Sequence, residues 1–220
     1  MAITSSLAQL RSAVTERGGY RRSTSLTPSI LTGFINAGIV EVHDLLAKHN
    51  PDYLTKRTNP DLATVIGVET VALPSDFYKL RRVDLVRSGD ATRLRSYQID
   101  DETMLAEDSL WGIGGTYRYM LQAGTLRFVP TPTAVDTVRL WYIPHATKLV
   151  LDADLYDGIG GADDLVIEHA LLRAAERDRR PAADHAAMIQ RLEKRLMFAV
   201  EARDQSEPEY LPDLGRWEFG

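Results

Sequence analysis

Five aspartates lie close together in the stretch 152–164 and are the first candidates for chemistry. They are Asp152, Asp154, Asp157, Asp163 and Asp164. Carboxylates at alternate positions followed by a glycine form the calcium loop D-x-[DN]-x-[DN]-G, because Ca²⁺ prefers oxygen ligands. Here Tyr156 occupies the third ligand position, and Asp157 occupies the position of the required glycine. We therefore expect a solvated loop that leads into a helix capped by Asp163, and no metal site.

Other catalytic and cofactor patterns are incomplete in this sequence. The five histidines are scattered and form no H-x-x-x-H pair, which a zinc site on a helix would need. Two glycine strings, 112–115 and 158–161, fail the phosphate-binding pattern G-x-G-x-x-G, because Tyr117 and Asp163 replace the last glycine. With no cysteine there is no thiol nucleophile. We predict no catalytic residue, no cofactor and no metal.

Composition indicates a globular intracellular product. The chain has 220 residues, of which 44% are hydrophobic and 26% charged, so a packed core is expected. The absence of cysteine fits synthesis in a reducing cytoplasm. A net charge of −5 argues against a dedicated nucleic-acid binder. The doublets Arg21-Arg22 and Arg81-Arg82 therefore favour a protein interface or solvent over a phosphate backbone.

Membrane and export segments are not expected. No apolar run in the sequence approaches the roughly 20 residues of a membrane span. Residues 1–10 contain no basic stretch followed by an apolar one, so no signal peptide is predicted.

Helices are predicted at both ends of the chain. Thr4 or Ser5 caps a first helix that ends at Gly18-Gly19, and Thr27-Pro28 starts a second that ends at Asn50. Helical spacing of apolar residues returns after Asp163, and Pro181 opens a last helix.

The middle of the chain has the period of β-strands. Strands are predicted over 64–66, 70–73, 80–87, 91–97, 116–122, 125–129 and 135–143. Ser88-Gly89-Asp90 and Ala123-Gly124 mark hairpin turns, and 100–108 is predicted to form one or two helical turns. Strands in one block between helices indicate an α+β fold, a helical bundle with an inserted small antiparallel sheet or sandwich. The expected domains are 1–50 (N-terminal helices), 51–150 (inserted β domain), 151–205 (C-terminal helices) and 206–220 (a C-terminal arm).

The C-terminal tail carries large apolar residues on a segment too broken for a helix. They are Tyr210, Leu211, Leu214, Trp217 and Phe219, with Pro212 among them. A segment this short cannot bury such side chains on itself. Two interpretations remain open: the tail folds back over its own domain, or it docks into a groove of a partner, where aromatic anchors are effective.

The order of these features resembles the head-to-tail adaptor (connector) proteins of podovirus-like tailed bacteriophages. The resemblance extends from about residue 6 to 203 and is carried by four segments. These are Thr27-Pro28-Ser29-Ile30-Leu31, the proline-aspartate strand entry 73–83, the closing hairpin 126–144, and the start of the C-terminal helices at 164–175.

The resemblance implies a virion protein at the head–tail interface. The missing catalytic motifs predict that it is not an enzyme, and the missing cysteine fits synthesis in the host bacterial cytoplasm. The resemblance also implies a dodecameric ring beneath the portal, with tail or nozzle proteins on the far face. DNA would pass through the channel without sequence-specific binding. The residues that match the family's portal-binding arm are Tyr210, Leu211, Pro212, Leu214, Trp217 and Phe219. The alternatives are a tail-completion or terminator protein and a metal-dependent hydrolase that uses the aspartates of 152–164.

Overall fold

The computed structural model describes residues 5–21, 23–97, 117–158 and 161–203. It divides the chain into two compact units, one of Met1–Leu45 with Thr147–Gly220 and one of Leu46–Ala146. We call them the helical unit and the β unit. The class is α+β, as predicted.

The helical unit consists of helices from both ends of the chain. They are α1 (Leu7–Arg17), α2 (Pro28–His49, whose last residues belong to the β unit), α4 (Ala162–Arg177) and α5 (Ala183–Arg203). A fifth short helix, α3 (Pro51–Leu54), lies in the β unit. The core of the helical unit is aliphatic and includes Leu7, Leu10, Ile35, Leu165 and Leu171, each at most 1% exposed. These positions recur at helical spacing, which is why the helices were predictable.

The start of α1 lies one or two residues later than predicted. Ser6 is the N-cap: its hydroxyl accepts from the Gln9 N–H at 3.3 Å, and the Gln9 side chain accepts from the Ser6 N–H at 2.8 Å. This reciprocal capping box satisfies two backbone donors at the helix start, the N–H groups of Ser6 and Gln9. The predicted cap was therefore wrong, whereas the end of the helix at Gly18 is confirmed.

The predicted starts of the other helices are only partly confirmed. Thr27 caps α2 as predicted, accepting from the Ile30 N–H at 3.4 Å. Gly161, with a φ of 95°, precedes α4, so the predicted cap at Asp163 is wrong and this aspartate lies in the first turn. Asp163 still places negative charge where the helix dipole favours it. The last helix begins at Ala183, two residues after the predicted start at Pro181.

Helix α2 also corrects an expectation about membranes. It is long and apolar enough to cross a bilayer by length and composition, although no such run was expected from the sequence. Of its most apolar window, 44% is buried, including Leu31, Ile35 and Val42. A core helix of a globular protein passes the same test, so one such helix is weak evidence for a membrane.

The β unit contains two sheets. One has the order β1 (Lys56–Arg57), β9 (Thr137–Pro144), β4 (Phe77–Arg87), β5 (Asp90–Arg93), with β2 (Leu62–Ala63) also pairing with β9. The other has the order β3 (Thr70–Ala72), β8 (Thr125–Val129), β7 (Arg118–Gln122), β6 (Arg95–Ser96). Both contribute to one buried core that contains Val83, Leu140, Leu126 and Phe128. This arrangement fits a small sandwich.

Both predicted hairpins are confirmed. β4 pairs with β5 across Ser88 and Gly89, and β7 pairs with β8 across Ala123 and Gly124. All four turn residues have positive φ, as the tightest hairpin turns require.

Two details of the strands differ from prediction. Most of the predicted strand 64–66 is a turn, because Gly67 with a φ of 76° reverses the chain and Val65 bridges to Val68. The sheets are also not wholly antiparallel, since β6 runs parallel to β7. The predicted helical turns at 100–108, the glycine string 112–115 and the arm residues lie outside the described residues.

Candidate interaction surfaces

The five aspartates of 152–164 do not form one site. Asp152 pairs with Arg11, and Asp164 pairs with Arg17 at 2.9 Å. Asp163 accepts a hydrogen bond from the Ser5 hydroxyl, whereas Asp157 is exposed to solvent. Each carboxylate thus has its own surroundings: Asp152 ties the loop to α1, whereas Asp164 ties the first turn of α4 to α1.

Asp154 has a local structural role. Its carboxylate accepts from the backbone N–H groups of Val150 and Leu151 at 2.7 and 2.8 Å. These hydrogen bonds lower the pKa of Asp154 below its ordinary value, because they favour the charged form. Within the described residues, no group of three or more His, Asp or Glu side chains could hold a metal ion. The alternative of a metal-dependent hydrolase therefore loses the ligand set on which it depended.

Two histidines on the C-terminal helices are packed between helices. The Nδ1 of His185 lies 2.9 Å from a carboxylate oxygen of Glu168, which is 9% exposed. Burial lowers the pKa of His169, while Glu41 and Glu193 act in the opposite direction. The burial of His169 thus favours its neutral imidazole.

An ion pair with a buried carboxylate lies in the β unit, and the sequence pattern did not reveal it. Asp136, which is 7% exposed, accepts from the Nε and Nη2 of Arg87 at 2.7 and 2.6 Å and from the Tyr117 hydroxyl at 3.1 Å. The Arg87 hydrogen bond lowers the pKa of Asp136 despite its burial. Burial raises the pKa of Tyr117, and the hydrogen bond to Asp136 adds to this.

A second polar cluster joins the residue before β4 to the last part of β9 and to β1. Asp76 pairs with Lys56 and accepts from the Tyr142 hydroxyl at 2.8 Å. The hydrogen bond from Lys56 lowers the pKa of Asp76. Such a cluster holds strands in register, since its members come from three separate segments.

The two arginine doublets have different surroundings. Arg21 pairs with Glu16 at 3.1 Å on the surface of the helical unit, and Arg22 is outside the described residues. Arg81 pairs with Asp52 at 2.7 Å and Arg82 with Asp84 at 2.6 Å. Arg81 and Arg82 line one groove together with Arg93. Arg93 was not singled out from the sequence.

Helix α5 exposes apolar and basic side chains on its surface. Phe198 is 75% exposed and Met188 is 41% exposed. Arg191, Lys194 and Arg195 are exposed on the same helix and pair with no carboxylate of the described chain. Large exposed apolar residues beside unpaired cations are typical of a surface that meets another protein.

The β unit exposes a second apolar surface. Val65, Ile66 and Val68 in the turn after β2 are 55%, 61% and 42% exposed, and Val135 is 67% exposed. The turn is held against the segment before β9 by hydrogen bonds from Gly67 N–H to Pro132 O and from Thr64 N–H to Asp136 O, both 2.9 Å. The valines and the isoleucine therefore have a fixed position at the surface.

In the described part of the chain, the buried carboxylates of Asp84, Asp136 and Glu168 form ion pairs or hydrogen bonds with other side chains. Large apolar side chains and basic side chains are exposed. This combination is typical of a protein that presents interaction surfaces to partners. The chain belongs to the SU10 adaptor protein family, whose family model matches residues 5–210. Members of this family are phage head-to-tail adaptors. No curated protein matches the chain.

Family membership has coarse functional consequences. The protein is a bacteriophage adaptor and a structural component of the virion. Its family associates with portal and tail proteins and is a family of structural proteins rather than enzymes. The match ends at Tyr210, so the remaining arm residues lie beyond the matched segment.

Proposed function

We propose that this chain is a ring-forming subunit that joins the portal to the tail around the DNA channel. The observation that carries the proposal is the family match over residues 5–210. An adaptor must bind one partner above, one below and its own copies at the sides, so it needs several independent surfaces. The exposed side chains of α5 and those around Ile66 provide candidates on both units.

Self-association into a ring, with twelve copies, is part of this proposal. The helical bundles would pack side by side, as exposed Phe198 and the basic residues of α5 favour contact with a neighbouring subunit. A closed ring uses one heterologous interface repeatedly, so a weak contact is sufficient once the portal templates it.

A separate role for each segment of the chain is also part of this proposal. The helices of 1–50 and 151–205 form the bundle of the ring, and 51–150 is an inserted β domain. The segment 206–220 is a portal-binding arm, whose contact residues are Tyr210, Leu211, Pro212, Leu214, Trp217 and Phe219. Aromatic anchors on an extended segment fit a groove in a partner and give each subunit one tether.

DNA passage requires a channel that does not hold DNA. The net charge of −5 supports a ring whose channel face repels the phosphate backbone. We propose that DNA passes without sequence-specific binding. The protein would be made in the bacterial cytoplasm and then become part of the virion.

The arm is tested by its aromatic anchors. The double variant Trp217→Ala/Phe219→Ala removes two large apolar side chains from the tail. We expect the affinity for purified portal to fall by about tenfold to a hundredfold, the size of effect seen for hot-spot residues. Biolayer interferometry with immobilised portal measures this change.

A matched control replaces two neighbouring polar residues of the same tail, Arg216→Ala/Glu218→Ala. This control should retain affinity within about threefold, because rim charges contribute little. If both variants lost the same amount of affinity for the portal, the aromatic side chains would not be the specific anchors of the tail. Unchanged affinity in the Trp217/Phe219 variant would remove the arm from the proposal.

A further inference from the structure

The outer face of the β4–β9 sheet contains a groove of about 310 Å³ rich in arginine. Its lining residues are Asp52, Thr55, Arg81, Arg82, Arg93 and Trp141. All belong to the β unit. Three guanidinium groups beside an indole ring form a site for an anionic group.

A β-bulge places the consecutive arginines on the same groove. The β4–β9 register shifts between Leu80, which faces Tyr142, and Arg82, which faces Trp141. In a regular strand Arg81 and Arg82 would point to opposite faces, and one of them would enter the core. The bulge adds one residue and avoids this, so both arginines are exposed.

A buried carboxylate beneath the groove fixes the orientation of two lining residues. Asp84, which is 2% exposed, accepts from Arg82 Nε at 2.6 Å and from the Trp141 indole N–H at 3.1 Å. Because Arg82 uses its Nε for Asp84, its terminal nitrogens remain for a ligand. The site is thus organised before a ligand arrives, which lowers the entropy lost on binding.

Arg93 supplies a cation that no described carboxylate pairs with. It lies opposite Asp84 in the β4–β5 register and is exposed. Arg81, by contrast, pairs with Asp52, whose side chain is 80% exposed and can be displaced. The three arginines of the groove carry three positive charges, and Asp52 and Asp84 carry two negative charges. The net charge of this group is therefore +1.

The geometry favours carboxylates over a nucleic acid. Guanidinium groups bind carboxylates through two parallel hydrogen bonds. Binding of a DNA backbone at physiological salt needs several phosphate contacts, since each contributes through counterion release. A groove with one excess positive charge does not provide them.

We propose that this groove is a docking site for an acidic peptide segment of a neighbouring virion protein. A carboxylate of the segment would bind Arg81 and Arg93, and an adjacent part of it would pack on Trp141. The proposal does not depend on ring formation or on the arm.

The test uses the full-length protein and a hexaglutamate peptide at constant ionic strength. The readout is the ¹H–¹⁵N signal of the Trp141 indole, assigned with Trp141→Phe. We expect a saturable shift with a Kd of about 1 mM, typical of a small charged contact. A twelve-nucleotide oligothymidine strand is titrated in parallel and should bind more weakly than the peptide.

The double variant Arg81→Gln/Arg93→Gln should weaken peptide binding by at least about tenfold, since each charge-assisted hydrogen bond that is lost contributes a factor of about ten. Arg82 is left unchanged, since it neutralises buried Asp84. The matched control Arg191→Gln/Arg195→Gln removes the same charge from α5 and should leave the Kd unchanged. Three results would overturn the proposal: no saturable shift, equal weakening by the control, or tighter binding of the oligonucleotide.

Discussion

Asp136 is a residue on which the stability of the β unit depends. Arg87 and Tyr117 donate to its carboxylate, and its own N–H donates to the Thr64 hydroxyl at 2.8 Å. Asp136→Asn should lower the free energy of unfolding by about 2 kcal/mol at pH 7, because hydrogen bonds to charged groups are lost. Urea unfolding followed by near-ultraviolet circular dichroism measures this. The exposed Asp90→Asn should change it by less than about 0.5 kcal/mol.

The same carboxylate gives a pH dependence with a definite sign. The pKa of Asp136 is lower in the folded protein than its ordinary value, chiefly because Arg87 hydrogen-bonds to it. Its contribution is therefore complete above about pH 4, the usual pKa of an unfolded aspartate, and is lost as the pH falls through the folded pKa. The gap between wild type and Asp136→Asn should shrink from pH 5 to pH 2. A gap that stays constant over this range would contradict the assignment.

Chemistry at the residue scale was partly predictable. The register failure at Tyr156 and Asp157 was visible in the sequence. In the structure four of the five aspartates have separate partners, and Asp157 is exposed. The Asp136–Arg87 pair could not be found this way, because its members are 49 residues apart and only the strand pairing brings them together. The same holds for the groove, where Arg81-Arg82 was noticed but Arg93 was not.

At the scale of elements, the close approach of α2 and α4 depends on Gly38. A Cβ at this position would lie 2.9 Å from the Val166 carbonyl oxygen and 3.1 Å from the His169 Cβ. A backbone oxygen cannot move without shifting α4. Gly38→Ala should therefore destabilise the protein by about 1–3 kcal/mol, the cost of overpacking.

Gly33 on the same helix is the matched control for Gly38. A Cβ there would meet nothing within 4 Å. Gly33→Ala should stabilise the protein by up to about 1 kcal/mol, since alanine has the higher helix propensity. Thermal unfolding of the two variants gives opposite shifts in Tm. A rise in Tm for both variants would show that helix propensity outweighs packing at Gly38.

Long periodic elements and tight hairpins were predictable, whereas their exact ends were not. The apolar spacing of α2 and the Ala123-Gly124 turn are local features, and both were found from the sequence. The cap of α1 was misplaced because Ser5 and Ser6 are equally good capping residues, and the Gln9 side chain decides between them. The turn at 65–68 was missed because β-branched residues there are typical of strands, and the backbone of Gly67 overrides them.

At the scale of the whole molecule, the order of elements was the informative feature. A block of strands between helices predicted the α+β class, and together with four short segments it predicted the adaptor family, which the family match shows. Ring formation, copy number and the role of the arm depend on contacts between chains. One sequence contains no pattern that fixes such contacts, so these remain proposals.

The central claim is that this adaptor assembles on a portal as a ring. Mass photometry of purified portal, with and without excess adaptor, tests it most directly. Twelve copies of the 24.6 kDa chain should raise the mass of the portal complex by about 295 kDa. We expect that full increase at saturation, with few intermediate species because neighbouring subunits stabilise one another. A portal mass that does not change at any adaptor concentration would contradict the claim.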